Sequence, residues 1–118
     1  MDAEEFKSRT KAFAIRVIQL AELLPNGKVF DIISKQLIRS GTSVGANYRA
    51  ACRARSRAEF VAKIGIVEEE ADETIYWLEM LIDHGRIPSD RILPVIAEAR
   101  QILAMVIASI RTARGNRS

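Results

Sequence analysis

The fold is decided by residues 34–57, which read SKQLIRSGTSVGANYRAACRARSR. At about 100° of rotation per residue, a helix over this stretch places basic and apolar side chains on opposite sides. The basic stripe comprises Lys35, Arg39, Arg49 and Arg53. The apolar stripe, which begins slightly upstream, comprises Phe30, Ile33, Leu37, Val44, Tyr48 and Ala51. The pattern predicts a helix with one side in a protein core and a cationic side in solvent.

Small residues line one flank of this helix, between the two stripes. They are Ser34, Gly41, Gly45 and Cys52. Glycine inside a helix costs about 1 kcal/mol relative to alanine, so two glycines four positions apart favour close approach of another helix. Cys52 is the single cysteine of the chain, which excludes an internal disulfide and a cysteine-based zinc site. We expect it to be a packed thiol.

The rest of the chain also has a helical pattern, with apolar residues recurring every three or four positions and no strand-like alternation. The predicted helices span about residues 3–24, 29–54, 57–84 and 89–114. Helices of similar length joined by short turns predict an all-α protein, an antiparallel up-and-down four-helix bundle. The bundle forms one domain over residues 1–118, with fraying expected at 115–118.

The predicted helix ends carry recognisable signals. Residues 25–27 (Pro-Asn-Gly) stop the first helix and favour a turn. Ser56 and Glu59 have the spacing of a capping box at the start of the third helix. Gly85 ends that helix, and His84 beside it is expected to interact with the helix dipole.

Charge is unevenly distributed along the chain, although the formal net charge is only +3. Basic residues cluster in 28–63 and 111–117, and acidic residues in 68–83. This asymmetry is compatible with nucleic-acid binding and equally with contacts between subunits. No apolar run approaches about 18 residues, which predicts no membrane span. The acidic start lacks the positive region of a signal peptide, so we expect a cytoplasmic protein.

The sequence lacks the residues of common catalytic and metal sites. A di-iron carboxylate bundle needs a Glu-x-x-His pair on each of two helices. The chain has one histidine, His84, and Leu81 stands three positions before it. The acidic side chains of residues 68–73 spread around most of a helix and do not converge. We therefore expect no metal, no cofactor and no enzymatic activity.

Several side chains fall outside the predicted core stripes. Four apolar ones are expected to be exposed and to form a subunit interface: Ile15, Ile66, Trp77 and Met80. Glu68, Asp72 and Glu79 share a flank of the third helix and are expected to pair with arginines of a neighbouring helix. Asn47 either bonds across an interface or to a ligand, or makes a buried inter-helix hydrogen bond, and we expect the second.

Residues 40–81 resemble a known family. The pattern starts with Gln36 and Arg39, followed by the small-residue stretch 43–47 (Ser-Val-Gly-Ala-Asn) and by Glu59-Phe60. It continues through the third helix with Ile64, Glu68, Ala71, Glu73, Thr74 and Trp77-Leu78. This sequence is similar to the four-helix-bundle proteins encoded in bacterial 23S rRNA intervening sequences, over about two-thirds of the chain.

The resemblance implies a compact four-helix subunit that assembles into a ring, as a homopentamer. The family is also similar to the accessory variability determinant proteins of diversity-generating retroelements, which are basic pentamers that associate with nucleic acid and a reverse transcriptase. By that analogy, a reverse transcriptase is a possible protein partner of this chain. Analogy between folds does not by itself establish a shared function.

The sequence leads to two functional hypotheses. In the first, the chain is a non-enzymatic oligomeric module that binds RNA or DNA phosphates. The expected contacts are Lys35, Arg39, Arg49, Arg53 and Arg57. In the second, the chain is a structural or protein-interaction scaffold, and the basic stripe pairs with the acidic third helix of a neighbouring subunit.

Overall fold

The structure, a computed structural model, describes residues 1–115 and contains four α-helices with no strand among them. The helices are α1 (Ala3–Glu22), α2 (Lys28–Cys52), α3 (Arg57–His84) and α4 (Ser89–Ala113). The predicted all-α class is confirmed, and each helix end lies within two residues of its expected position. Of the predicted fraying tail, Gly115 lies in a turn and residues 116–118 lie outside the described residues.

Consecutive helices pack against each other, and α1 closes the bundle against α4 along the least extensive of the four contacts. The α1–α2 pair is antiparallel, since Gly41 lies against Val17 while Gly45 lies against Thr10. The bundle is 45 Å long and 26 by 20 Å across.

Helix ends follow the capping signals in the sequence. The Asp2 carboxylate accepts a hydrogen bond from the Glu5 amide at 2.8 Å, and the Ser56 hydroxyl accepts one from the Glu59 amide at 3.0 Å. In the reciprocal bond of the capping box, the Glu59 carboxylate accepts from the Arg55 amide at 3.1 Å. The usual donor is the amide of the N-cap residue itself, one position later. Gly85 ends α3 with a φ of 80°, a left-handed conformation that glycine adopts without steric cost.

Close approach of α1 and α2 confirms the interpretation of the two glycines. A Cβ atom on Gly41 would lie 2.8 Å from Cγ1 of Val17, and one on Gly45 would lie 3.1 Å from Oγ1 of Thr10. Both distances are shorter than ordinary carbon contacts of about 3.5–4.0 Å. The glycines therefore set the spacing between these helices.

The core contains a small number of buried hydroxyl groups that are hydrogen-bonded. The Thr74 hydroxyl lies 2.9 Å from the Ser40 hydroxyl and joins α3 to α2, and both side chains are fully buried. Ser40 also donates to the Gln36 carbonyl oxygen at 2.9 Å. Because each hydroxyl has a partner, the pair fixes the register of α2 and α3 at low desolvation cost.

One helix, α4, is long and apolar enough to cross a membrane by length and composition. Its most apolar 18-residue window has a mean hydropathy of 1.6, and a third of that window is buried in the bundle. Ile92, Ile96, Ala99 and Val106 of this helix are buried in the core. A core helix of a bundle has the same composition, so the window is weak support for a membrane span.

Candidate nucleic-acid interface

The outer face of α2 carries the predicted basic stripe. Lys35, Arg49 and Arg53 are exposed on it, and Arg57 is exposed at the first residue of α3. None of these four forms an ion pair within residues 1–115. From Lys35 to Arg53 the stripe extends about 27 Å at about 1.5 Å per residue. The helix orients these charges because its opposite side, with Leu37 and Val44, is fully buried.

Arg39 differs from the rest of the stripe because it is paired within the subunit. Its guanidinium forms salt bridges with Glu70, at 3.1 Å, and with Glu73, both on α3. Its Nε donates to the Gln36 side chain at 3.0 Å. A phosphate at this position would compete with two carboxylates, so Arg39 is less available to a phosphate than the sequence suggested. The scaffold hypothesis placed such pairs between subunits, whereas this one joins α2 and α3 of one chain.

The Arg39 network extends to the tryptophan. The Trp77 indole Nε1 donates to the Glu73 carboxylate at 3.0 Å. This bond, followed by the one from Arg39, lowers the pKa of Glu73 below its ordinary value of 4.5. The same carboxylate raises the pKa of Arg39, which stays charged. The network therefore keeps its charges at neutral pH.

Trp77 and Met80 are less exposed than the sequence suggested. Both are half-buried and pack against the core, since the long side chains reach back over the bundle surface. The other two predicted interface residues are exposed as expected, Ile15 by 48% and Ile66 by 39%. Tyr76, which the sequence reading missed, is 52% exposed beside Trp77. The large apolar side chains exposed on α3 are thus Ile66 and Tyr76.

Asn47 makes a different hydrogen bond from the one expected. Its Nδ2 donates to the Ser43 carbonyl oxygen at 2.9 Å, one turn earlier in its own helix. The expected bond to another helix is not formed, because Asn47 is half-buried at the edge of the α2 face. Asn47 therefore offers its remaining polar atoms to the surface.

Glu68 and Asp72 do not form the expected pairs with arginines in the described part of the chain. Glu68 is half-buried and Asp72 is exposed. The α3 carboxylates that pair are Glu70 and Glu73 with Arg39, and Glu79 with Arg100 at 3.0 Å. The rotation of α3 about its axis turns Glu70 and Glu73, rather than Glu68 and Asp72, toward Arg39.

A cluster around Arg9 joins α1 to α4 and was not recognised in the sequence. The Arg9 guanidinium binds both oxygens of Glu98 at 2.8 Å and the Gln101 side-chain oxygen at 2.7 Å. The bond from Arg9 holds the pKa of Glu98 below its ordinary value of 4.5. Because 89 positions separate the two residues, no local pattern indicates the pair.

Among the described residues, no charged side chain is fully buried in the core. Burial raises the pKa of Tyr48 to about 12, so its hydroxyl stays protonated at neutral pH, and its ring packs edge-on against Phe6 at 4.7 Å. Cys52 is half-buried against the core, in line with a packed thiol. Within residues 1–115, no three His, Cys, Asp or Glu side chains lie close enough together to hold a metal ion.

Comparison with known proteins identifies the family. Residues 4–108 match the model of the 23S rRNA-intervening sequence protein family. The chain belongs to this family. Among solved structures, a similar one is the crystal structure of a protein of unknown function from the S23 ribosomal protein family of Bacteroides thetaiotaomicron, with 39% sequence identity and a TM-score of 0.83. The alignment covers 90% of this chain and 98% of the Bacteroides protein, and no curated protein matches.

Membership of the 23S rRNA-intervening sequence protein family confirms the resemblance drawn from residues 36–78. The match extends it to nearly the whole chain, including α1 and most of α4. The Bacteroides structure supports the all-helical fold of this family. It is described as a protein of unknown function, so what the basic stripe binds is a matter for proposal.

Proposed function

We propose that this chain is a non-enzymatic, oligomeric module that binds RNA or DNA through phosphate contacts on α2. The observation that carries the proposal is the set of exposed cations without an acidic partner in the described residues: Lys35, Arg49, Arg53 and Arg57. Lys35, Arg49 and Arg53 follow the α2 face for a length comparable to several phosphates of a nucleic-acid strand, and Arg57 follows at the start of α3. Arg39 is a structural residue in this proposal.

Binding of this kind has a defined physical signature. Each neutralised phosphate releases counterions, so affinity falls steeply with salt, by about 0.9 logarithmic units of affinity per tenfold salt for each contact to duplex DNA. Phosphate contacts carry little sequence information. The α2 face exposes no aromatic ring for base stacking, since Tyr48 is buried and Tyr76 lies on α3. We therefore expect weak sequence preference.

Oligomerisation into a ring, as a homopentamer, is part of the proposal. It is supported by the family resemblance and by exposed apolar side chains such as Ile15, Ile66 and Tyr76. A ring would repeat the basic stripe once per subunit, and multivalent binding would raise the affinity for a nucleic acid. By analogy with the retroelement accessory proteins, a reverse transcriptase is the proposed kind of protein partner.

The test compares binding of a labelled structured RNA and a labelled DNA duplex at about 50 and 200 mM salt. Arg49→Glu/Arg53→Glu reverses two charges at the C-terminal end of the stripe. The matched control, Arg86→Glu/Arg91→Glu, makes the same charge change at exposed arginines before and in the first turn of α4. We expect salt-sensitive binding by the wild type and the control and a loss of binding in the stripe variant, with the oligomeric mass of all three unchanged.

A scaffold without nucleic-acid affinity is the second candidate. It is favoured by the Arg39 salt bridges to Glu70 and Glu73, which demonstrate that α2 cations and α3 carboxylates form pairs. Exposed acidic residues such as Glu69 and Asp72 offer similar partners to another subunit. If the intact wild-type oligomer binds neither probe at low salt, and the stripe variant loses oligomeric mass, the scaffold is the better account.

A further inference from the structure

A groove of about 440 Å³ lies between α1 and α2 at the surface of the bundle. Small side chains form its floor: Ala14, Thr42, Gly45 and Ala46. The floor lies low because the two helices approach closely here, with the Cβ position of Gly45 only 3.1 Å from the Thr10 hydroxyl. The volume falls within the range of about 300–1,000 Å³ that is typical of ligand pockets.

The walls of the groove carry more positive than negative charge. Lys7 and Lys11 of α1 face Arg49 of α2, and the one carboxylate in the lining is Glu4. Glu4 pairs with Lys7, with 3.0 Å between Nζ and Oε1. Lys11 and Arg49 therefore stand without an acidic partner in residues 1–115.

Arg49 belongs both to the basic stripe and to this groove. A nucleic-acid strand that contacts Arg49 from the stripe therefore lies within reach of the groove and of Lys11 on its far wall. A strand in this position would meet cations of two helices instead of one. Lys11 belongs to none of the patterns described in the sequence, because its relation to α2 appears only in the folded bundle.

We infer that the groove seats the sugar–phosphate backbone of a bound nucleic acid, with Lys11 and Arg49 contacting its phosphates from opposite walls. This inference rests on the proposed nucleic-acid binding and adds α1 to the interface. The small floor allows the backbone to approach, because a larger side chain at Ala46 would hold it away. Charge complementarity favours phosphates, because Lys11 and Arg49 both lack an acidic partner in residues 1–115.

Two variants test the two parts of this inference. Lys11→Gln removes a charge and keeps the length of the side chain, and Ala46→Trp fills the groove without changing any charge. Arg91→Gln and Ala62→Trp are the matched controls, at exposed positions of α4 and α3 outside the groove. Binding of a labelled DNA duplex is measured at about 50 and 200 mM salt, together with the oligomeric mass of each variant.

We expect Lys11→Gln to weaken binding and to reduce the slope of affinity against salt by about one phosphate contact. We expect Ala46→Trp to weaken binding about tenfold, which corresponds to roughly 1.4 kcal/mol. The slope of affinity against salt should change less than in Lys11→Gln. Both controls should bind like the wild type. This combination separates a seated strand from a general effect of net charge, since the tryptophan variant carries no charge change.

Other outcomes overturn the inference in distinguishable ways. If the stripe variant Arg49→Glu/Arg53→Glu loses binding while Lys11→Gln and Ala46→Trp bind normally, the groove is empty and the proposed function stands. If Ala46→Trp changes the oligomeric mass and Lys11→Gln binds normally, the groove is a contact between copies of the chain. Absence of binding by the wild type to both the DNA duplex and the structured RNA refutes the proposed function and this inference together.

Discussion

Replacing Gly41 by alanine tests the packing that defines the α1–α2 contact. Alanine gains about 1 kcal/mol of helix propensity over glycine. At this position, however, the added Cβ would lie 2.8 Å from Cγ1 of the fully buried Val17, so a helix or a side chain must shift. Overpacking of a core costs about 1–3 kcal/mol. We therefore expect a net loss of about 0–2 kcal/mol in the free energy of unfolding.

Gly65 provides the matched control within the same fold. It lies in α3, and a Cβ on it would meet no atom within 4 Å. Gly65→Ala should therefore keep most of the propensity gain and stabilise the protein by about 0.5–1 kcal/mol. Both changes in the free energy of unfolding are measured by urea unfolding, followed by circular dichroism at one protein concentration. The comparison requires that this free energy has the same dependence on urea concentration in all variants. Equal stabilisation by the two substitutions would refute the close approach.

The contact partner can be identified with a double-mutant cycle. Val17→Ala alone should destabilise the protein, because it removes buried methyl groups and leaves a cavity at a fully buried position. In the Gly41→Ala background the same change also relieves the clash, so its cost should be smaller. The expected coupling is about 0.5–3 kcal/mol, and additive effects would indicate that Val17 is not the residue that limits helix spacing.

Two further predictions concern the polar contacts between helices. Arg9→Met should lower the free energy of unfolding by about 1–3 kcal/mol, measured by urea unfolding, because it leaves the part-buried Glu98 without its partner. Since the folded-state pKa of Glu98 is lowered, this stabilisation is present above the ordinary pKa of 4.5 and is lost as pH falls through the folded value. The difference in free energy of unfolding between the wild type and Glu98→Gln should become smaller as pH falls over that range. A difference that does not change with pH would contradict the stabilising role of the charged Glu98. Removing both buried hydroxyls with Ser40→Ala/Thr74→Val should cost less than the sum of the single changes, since each single change leaves one hydroxyl without its inter-helix partner.

The helices and their close contact were predictable from the sequence because they depend on local patterns. Apolar periodicity and end signals placed every helix, and Gly41 with Gly45 indicated the tight flank. These features involve residues a few positions apart, where helix geometry fixes which side chains share a face.

The polar partners were less predictable because they depend on the rotation of one helix against another. α3 has apolar residues on several sides, including Ile66 and Trp77, so its pattern defines its buried face less sharply than that of α2. A small rotation decides whether Arg39 meets Glu70 and Glu73 or other carboxylates of the acidic run. The groove beside Arg49 likewise needs the position of α1.

Trp77 is the single tryptophan of the chain, and it shares the Glu73 carboxylate with Arg39. Its fluorescence therefore senses, without any attached label, whether the α2–α3 ion-pair network is intact. A ligand that draws Arg39 away changes the charge beside the indole, whereas one that contacts Arg49 or Arg53 alone leaves it unchanged. The fold thus contains its own optical means of distinguishing the two halves of the basic helix.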